Sequence, residues 1–454
     1  MPEQFMSMNA YLGAFPVAEA LAKGADIVVT GRGVDSAVTL GPCIHEFGWK
    51  TDDYDRLAGG SLAGHIIECG AQATGGLFTD WDAAEDWANI GYPIVEVSGD
   101  GSFIVGKPEG TGGIVCPGGV AEQMIYEIGD PQSYILPDVV CDFSQVNITE
   151  VGDQKVKVSG AAGSKPTGTV KVSATYFDGF RIIVGVTIRG IDAEGKARKT
   201  VESVLWRSRR MLKEMGAPDF TEVHADYIGA ESEYGPNARV KNAREVWGRL
   251  AVKHPSTDAL QLLLREMTST GTSMAPGTTG VGSGRAAPSP IVRLFSCVVN
   301  KDSVSPTVHY KGERWTVPFA GGAPLDLSSV ERPRIESDVP DGDTIEVPLV
   351  KIAHGRSGDK GNHANIGIIA RKLEFYPIIR EQITTKVVAD YFAHFLEGEV
   401  ERWDLPGIHA VNFLLHDVLG GGGMASLRQD PQGKAYAQML LDYPVQVPKS
   451  LLDS

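Results

Sequence analysis

The side chains most able to do chemistry fall in a few glycine-rich stretches. The densest is residues 354–363, His-Gly-Arg-Ser-Gly-Asp-Lys-Gly-Asn-His, which reads as a loop between two strands. Arg356 and Lys360 are suited to clamp an anionic group, with Asn362 alongside, while His354 and Asp359 are suited to exchange protons near neutral pH. A solvated hairpin loop is the plain alternative. A second stretch, residues 110–123, runs from Gly110, Gly112 and Gly113 through Cys116-Pro117 to Gly118 and Gly119 and then into a helix predicted over 120–128. Free amides at such a helix start can hold a phosphate or carboxylate, although the spacing is not that of a dinucleotide fingerprint. Close helix–strand packing explains the same glycines. A third is the run Gly420 to Gly423, with Gly421 and Gly422 at its centre and Arg428 beyond, where backbone can approach a ligand or a neighbouring domain. A flexible linker is its alternative. In the predicted pairing this turn lies near the 354–363 loop.

Weaker candidates complete the set. Arg32 beside Asp35 reads as a helix cap with its ion pair, or as part of a ligand cleft, and Ser164-Lys165 reads as a turn with the same second option. His65, Glu68 and Cys69 share a helix face and make half of a metal site, which is more simply a packed face. Cys116 at a helix start has the setting for a lowered pKa but no assigned base. No G-x-S-x-G, HExxH, P-loop or C-x-x-C pattern is present, which weakens hydrolase, zincin and nucleotide-hydrolysing readings. No metal and no cofactor is expected, a CoA thioester being considered as substrate only.

The elements that must position these groups are those of a multi-domain globular chain. At 454 residues, with 42% hydrophobic and 22% charged, two or three domains with real cores are expected. A net charge of −15 argues against nucleic acid or an anionic membrane as the main partner. No run of 18 or more apolar residues suggests a membrane span, and the start lacks a secretory pattern. Five widely spaced cysteines suit reduced thiols, so a cytoplasmic protein is expected. The 54 glycines, about 12% against an average near 7%, imply many tight turns and backbone-lined loops.

Residues 1–138 read as alternating α and β: a helix over 10–23, an apolar run at 25–30 typical of a buried parallel strand, and helices over 37–47 and 52–74. This predicts an α/β domain with a mostly parallel sheet, and only four residues, 6–9, precede its first helix. Residues 139–330 switch to period two and predict an antiparallel α+β region, with a hairpin turn at 176–180, a helix over 196–215, a strand at 221–228 and a long loop over 268–290. Residues 345–447 predict a small α+β domain in the order β-β-α-β-β-α.

Several stretches in order resemble one family. They are Asn9-Ala10-Tyr11-Leu12-Gly13, residues 25–35 (ADIVVTGRGVD), His45-Glu46-Phe47-Gly48-Trp49, residues 110–131 (GTGGIVCPGGVAEQMIYEIGDP) and Pro137-Asp138-Val139. Together they resemble the acyclic terpene utilisation protein A family, and residues 345–447, with HGRSGDKGN and GGGGMASLRQD, resemble its appended ferredoxin-like domain. The resemblance spans nearly the whole chain and implies catabolism of branched compounds such as citronellol and geraniol, beside acyl-CoA carboxylases and enoyl-CoA hydratases. It also implies a further segment before residue 9 that this chain lacks. The expectation is a homo-oligomeric enzyme acting on a branched acyl-CoA or carboxylic acid by acid–base addition, elimination or isomerisation, with Asp359 or His354 moving the proton. The rivals are a non-catalytic subunit or scaffold for a carboxylase or hydratase, and an amide or thioester hydrolase.

Overall fold

The computed structural model describes residues 4–279, 286–335, 339 and 342–452. Its first layer is a set of short helices, Phe15–Ala22, Ala37–Phe47 and Tyr54–Glu68, stacked side by side. The third is almost wholly buried because its contact face is glycine and alanine: a side chain at Gly64 would press on Ser36, and one at Gly59 would overlap the carbonyl of Gly101. That close approach places Glu68, one turn after Gly64, beside the start of the Ala37–Phe47 helix. Leu40, Leu57, Ile66 and Phe103 join Val120 and Met124 of the helix Pro117–Ile125 in one core.

The middle of the chain builds a five-stranded antiparallel sheet in the order Ser7–Ala10, Thr169–Arg189, Glu245–His254, Glu222–Ile228, with Ser289–Asn300 also paired to Thr169–Arg189. Ala193–Glu214 and Thr257–Thr268 cover it. The first of these helices starts where the Asp192 carboxylate accepts the amide of Gly195, and its buried residues Ala197, Val201, Val204, Ser208 and Leu212 keep the helical period.

The C-terminal part is a four-stranded antiparallel sheet, Ala353–Lys360, His363–Ala370, Ala410–Leu415 and Val400–Leu405 in that order. One face packs on the helices Tyr376–Gln382, Thr385–Tyr391 and Tyr436–Leu440. The other lies on the N-terminal layer, and Ile369, Leu405 and Ala410 belong to that layer's core. Asn365 and Asn412, both fully buried, join the two bodies. Asn365 Nδ2 donates to the Ile125 carbonyl at 2.7 Å, its Oδ1 accepts the Glu127 amide at 2.9 Å, and Asn412 Nδ2 donates to the Ile128 and Gly129 carbonyls.

Several expectations are corrected. The sheets are antiparallel, and among the described residues parallel pairing is limited to isolated bridges such as Leu12 to Gly33. Residues 25–30 form no strand: Ile27 is 83% and Val29 91% exposed, because no neighbouring strand lies alongside. Residues 7–10 are a strand, so the first helix shortens to Phe15–Ala22. The turn expected at 176–180 is absent, since Thr169–Arg189 runs straight through it. The 268–290 loop contains the end of one helix, the short helix Thr270–Ser273 and the start of a strand, with residues 280–285 outside the described residues. Residues 354–360 are strand, and only Gly361 and Asn362 turn the hairpin. No strand forms at 424–428, whereas Val400–Leu405 supplies one that the pattern did not show.

Asn365→Ala removes three hydrogen bonds from a dry interface and leaves the Ile125 carbonyl and Glu127 amide unpaired. Urea unfolding is expected to show a loss of about 2–4 kcal/mol; an unchanged midpoint would mean these bonds do not hold the two bodies together.

Candidate functional site

On the edge strand Ala353–Lys360 successive side chains point to opposite faces. Gly355 packs on Ile368 and Leu441, and Ser357 bonds the Gly433 carbonyl, so these face the strand's own helices. His354, Arg356, Gly358 and Lys360 face the N-terminal layer. A side chain at Gly358 would overlap the Tyr126 ring, so glycine there lets the Pro117–Ile125 helix end come close.

The two side chains expected to move protons are held among charged neighbours. His354 Nε2 lies 3.0 Å from Asp80 Oδ2, and Arg371 grips both oxygens of Asp80 at 2.7 and 2.5 Å. Burial, then the Arg371 charge, pulls the imidazole below its ordinary value, and the Arg371 bonds hold Asp80 low. Asp359 Oδ1 accepts from Lys434 Nζ and Gln432 Nε2, both at 3.1 Å. Lys434 also bonds Tyr126 Oη and, at 2.8 Å, Glu127 Oε1. Burial pushes the Tyr126 hydroxyl up to about 12, while Lys434 overcomes burial to keep Glu127 below its ordinary value.

The cations are freer. Arg356 is buried, stacks 4.8 Å over the Tyr126 ring, donates to Gln72 Oε1 at 2.5 Å and has no carboxylate at ion-pair distance among the described residues. Lys360 has no hydrogen bond or ion pair among the described residues; its ammonium sits 5.9 Å over Tyr134, and burial lowers its pKa against the pull of Glu127.

Next to this group lies a cleft of about 620 Å³, walled by Leu12, Val17, Ile27, Val34, Val38 and Ile67 together with Arg32, Asp35 and Glu68. Arg32 bonds Asp35 at 2.7 Å and Tyr11 at 3.1 Å, stacking 4.3 Å over the Tyr11 ring. Glu68 is pushed up to about 7 by burial, then by the charges of Asp35 and Glu127, with Lys360 opposing. His65, buried against the Met124 carbonyl at 3.2 Å, is held down to about 4, first by burial and then by Lys360, so it stays neutral. It lies 3.8 Å from Glu68. Cys69 completes no metal-ligand set with them among the described residues.

The glycine stretches serve packing. Gly112 and Gly113 lie against the carbonyls of Asp86 and Thr74, Gly110 makes an exposed turn, and Gly118 touches the His354 ring and Phe78. The Gly119 amide bonds Cys116 Sγ at 3.4 Å, and burial raises that thiol's pKa, so the helix start does not yield a thiolate. Ser164 caps no ligand; its hydroxyl reaches the Val140 carbonyl. The 420–423 turn sits against the 361–362 hairpin: Asn362 Oδ1 accepts the Gly421 amide at 2.6 Å, and Gly422 lies on the Gly361 carbonyl. Arg428 bonds the Val418 and Phe395 carbonyls and so holds this turn.

The structure thus groups Arg356, Lys360 and Asp359 around Tyr126 and Glu127, puts Arg32 on the cleft wall, and leaves the 110–113 and 420–423 glycines outside it. Sequence reading missed Glu127, Lys434, Tyr134 and Asp80. Glu127 and Tyr126 stood in a quoted stretch, and the residue after a short helix that turns back with φ of 58° is where a charged group can project into an interface.

Residues 1–310 match the model of the acyclic terpene utilisation family protein AtuA, and residues 347–446 match the AtuA ferredoxin-like domain. No curated protein and no solved structure matches the chain.

A second raised carboxyl provides a test of these electrostatics. Glu122, buried and accepting the Thr79 amide at 3.1 Å, is pushed up to about 7 by burial. The folded state therefore keeps a proton that the unfolded chain releases near its ordinary pKa, and stability falls as pH rises through that interval up to about 7. Glu122→Gln should gain stability over the parent by about 1–3 kcal/mol across this window and level off above it. A pH-independent difference in unfolding midpoint would refute the shift.

Proposed function

The chain belongs to the acyclic terpene utilisation family AtuA, and its general role is in acyclic terpene utilisation; on that premise we propose that it is an acid–base enzyme acting on a branched acyl group, with Glu68 moving the proton. The observation that carries this reading is the position of Glu68 on the wall of an otherwise largely apolar cleft, its side chain 32% exposed, where partial burial and the neighbouring Asp35 and Glu127 raise its pKa to about 7. A group that must both take and give a proton at neutral pH works best with its pKa there. The apolar walls suit a methyl-branched chain, and 620 Å³ is ample for one. Arg32 on the same wall is placed to meet a carboxylate or thioester carbonyl.

In the ionised state Glu68 takes the proton from the carbon next to the carbonyl, and the electron pair left behind spreads onto the carbonyl oxygen, where Arg32 offsets its charge. The protonated Glu68 then returns the proton at the distal carbon in an isomerisation, or delivers it to a hydroxyl that leaves as water in an elimination. Either outcome involves only proton movement and rearranged electron pairs. A CoA thioester acidifies that carbon more than a free carboxylate does, which favours the thioester as substrate. His354 and Asp359 support this scheme from a distance by fixing the sheet that carries Lys360.

Glu68→Gln should lower turnover of a branched acyl-CoA by about 10²–10⁴, while circular dichroism and the thermal shift with that thioester stay as in the parent. The parent's rate should rise with pH through about 7, the pKa of the free base. Turnover of Glu68→Gln within twofold of the parent sinks the assignment. The absence of a thermal shift with any acyl-CoA or free acid, with a partner co-purifying at fixed stoichiometry, favours the non-catalytic subunit instead.

A further inference from the structure

We propose that His224, Asp226 and Glu233 form a divalent transition-metal site that ties the five-stranded sheet to the C-terminal domain. His224 and Asp226 are two apart on the edge strand Glu222–Ile228 and share one face of it. Glu233 returns over that face on the turn Ser232–Asn237, which is fixed by the Tyr227 amide donating to Ser232 Oγ at 2.8 Å. All three donor atoms lie within 4.8 Å of one another. His224 Nε2 stands 2.7 Å from Asp226 Oδ1 and 3.8 Å from Glu233 Oε1. It is enclosed, yet it is not aligned for a hydrogen bond to either.

An ion about 2.0–2.2 Å from each donor needs donor–donor edges near 3–3.5 Å, so one edge opens and the other closes by less than about 1 Å. The outer support is already in place. Arg249 holds Asp226 Oδ2 at 2.5 Å, which leaves Oδ1 for the ion, and also donates to the Leu427 carbonyl at 2.8 Å. His394 Nε2 approaches the Glu233 carbonyl at 2.8 Å. Leu427 and His394 belong to the C-terminal domain, so filling the site stiffens that junction. One imidazole nitrogen and two carboxylate oxygens, with the His224 side chain 28% exposed and a side open to water, suit Zn²⁺ or Mn²⁺ better than Ca²⁺.

The test uses the full chain, stripped with EDTA, titrated calorimetrically with MnCl₂ and ZnCl₂ and followed by metal analysis and thermal unfolding. One ion per chain and a raised melting temperature are expected, and His224→Gln and Glu233→Gln, shown folded by circular dichroism, should weaken Mn²⁺ binding by at least about tenfold. Asp226 is left intact because its loss would strand the buried Arg249. Uptake well below one ion per chain, or binding in both variants as tight as in the parent, overturns the site and leaves an ion-pair network; uptake without a rise in melting temperature overturns the tie between the domains.

Discussion

The fold turns on how one short helix ends. Pro117–Ile125 stops where the chain turns through Tyr126 and the left-handed Glu127, which leaves the carbonyl of its last residue, Ile125, to find a partner outside the helix. Asn365 Nδ2 supplies that partner, and Asn412, on the neighbouring strand of the C-terminal sheet and bonded to Asn365 at 3.0 Å, donates to the carbonyls of Ile128 and Gly129 just beyond the helix. Gly358 and Gly367 make the approach possible, since a side chain at either would overlap Tyr126 or Ile125. A buried polar network of this kind is worth having only when it is complete, and here completeness fixes the register between two bodies far apart in sequence. The meeting of Arg356, Lys360 and Asp359 with Tyr126 and Glu127 depends on that register.

The electrostatics follow from it. The chain carries a net charge of −15, yet the junction gathers Arg356, Lys360 and Lys434 around two tyrosines. Lys434 is neutralised by Glu127 and Asp359, which accounts for one cation and two carboxylates. Among the described residues Lys360 has no hydrogen bond or ion pair, Glu122 is buried, and Glu68 is partly exposed beside Asp35 and Glu127. Burial disfavours charge on each of these residual groups, lowering the pKa of Lys360 and raising those of Glu68 and Glu122 to about 7.

How much of this was legible in the sequence differs by element. The helices Ala37–Phe47 and Ala193–Glu214 were readable because one face of each is apolar at helical spacing and their ends carry capping residues. The strand Ala353–Lys360 was not, because glycine, aspartate and lysine are depleted in strands that face water or an ordinary core. They are tolerated here because one face receives a helix end and the other a second turn of chain. Residues 25–30 misled in the opposite sense, since an apolar run states that it can be buried and says nothing of what would bury it. The chemical groups at 354–360 were visible as types, but their partners, Asp80, Glu127, Arg371 and Lys434, come from distant segments that no local pattern connects.

That difference is the reason for proposing Glu68, and not only His354 or Asp359, as the group that moves a proton. An imidazole or carboxylate has ordinary proton chemistry only while it is free to change charge. Asp80 is gripped by Arg371 on both oxygens, and the imidazole beside it is buried against a permanent cation, so protonating His354 meets that charge directly. Asp359 is anchored by an ammonium that also serves Glu127. Glu68 has no such anchor: Asp35 and Glu127 favour its neutral form, Lys360 favours its ionised form, and burial tips the balance to near neutrality. A group held between opposing fields, next to a cleft, is suited to pass a proton in either direction, which is why the proposal rests on it.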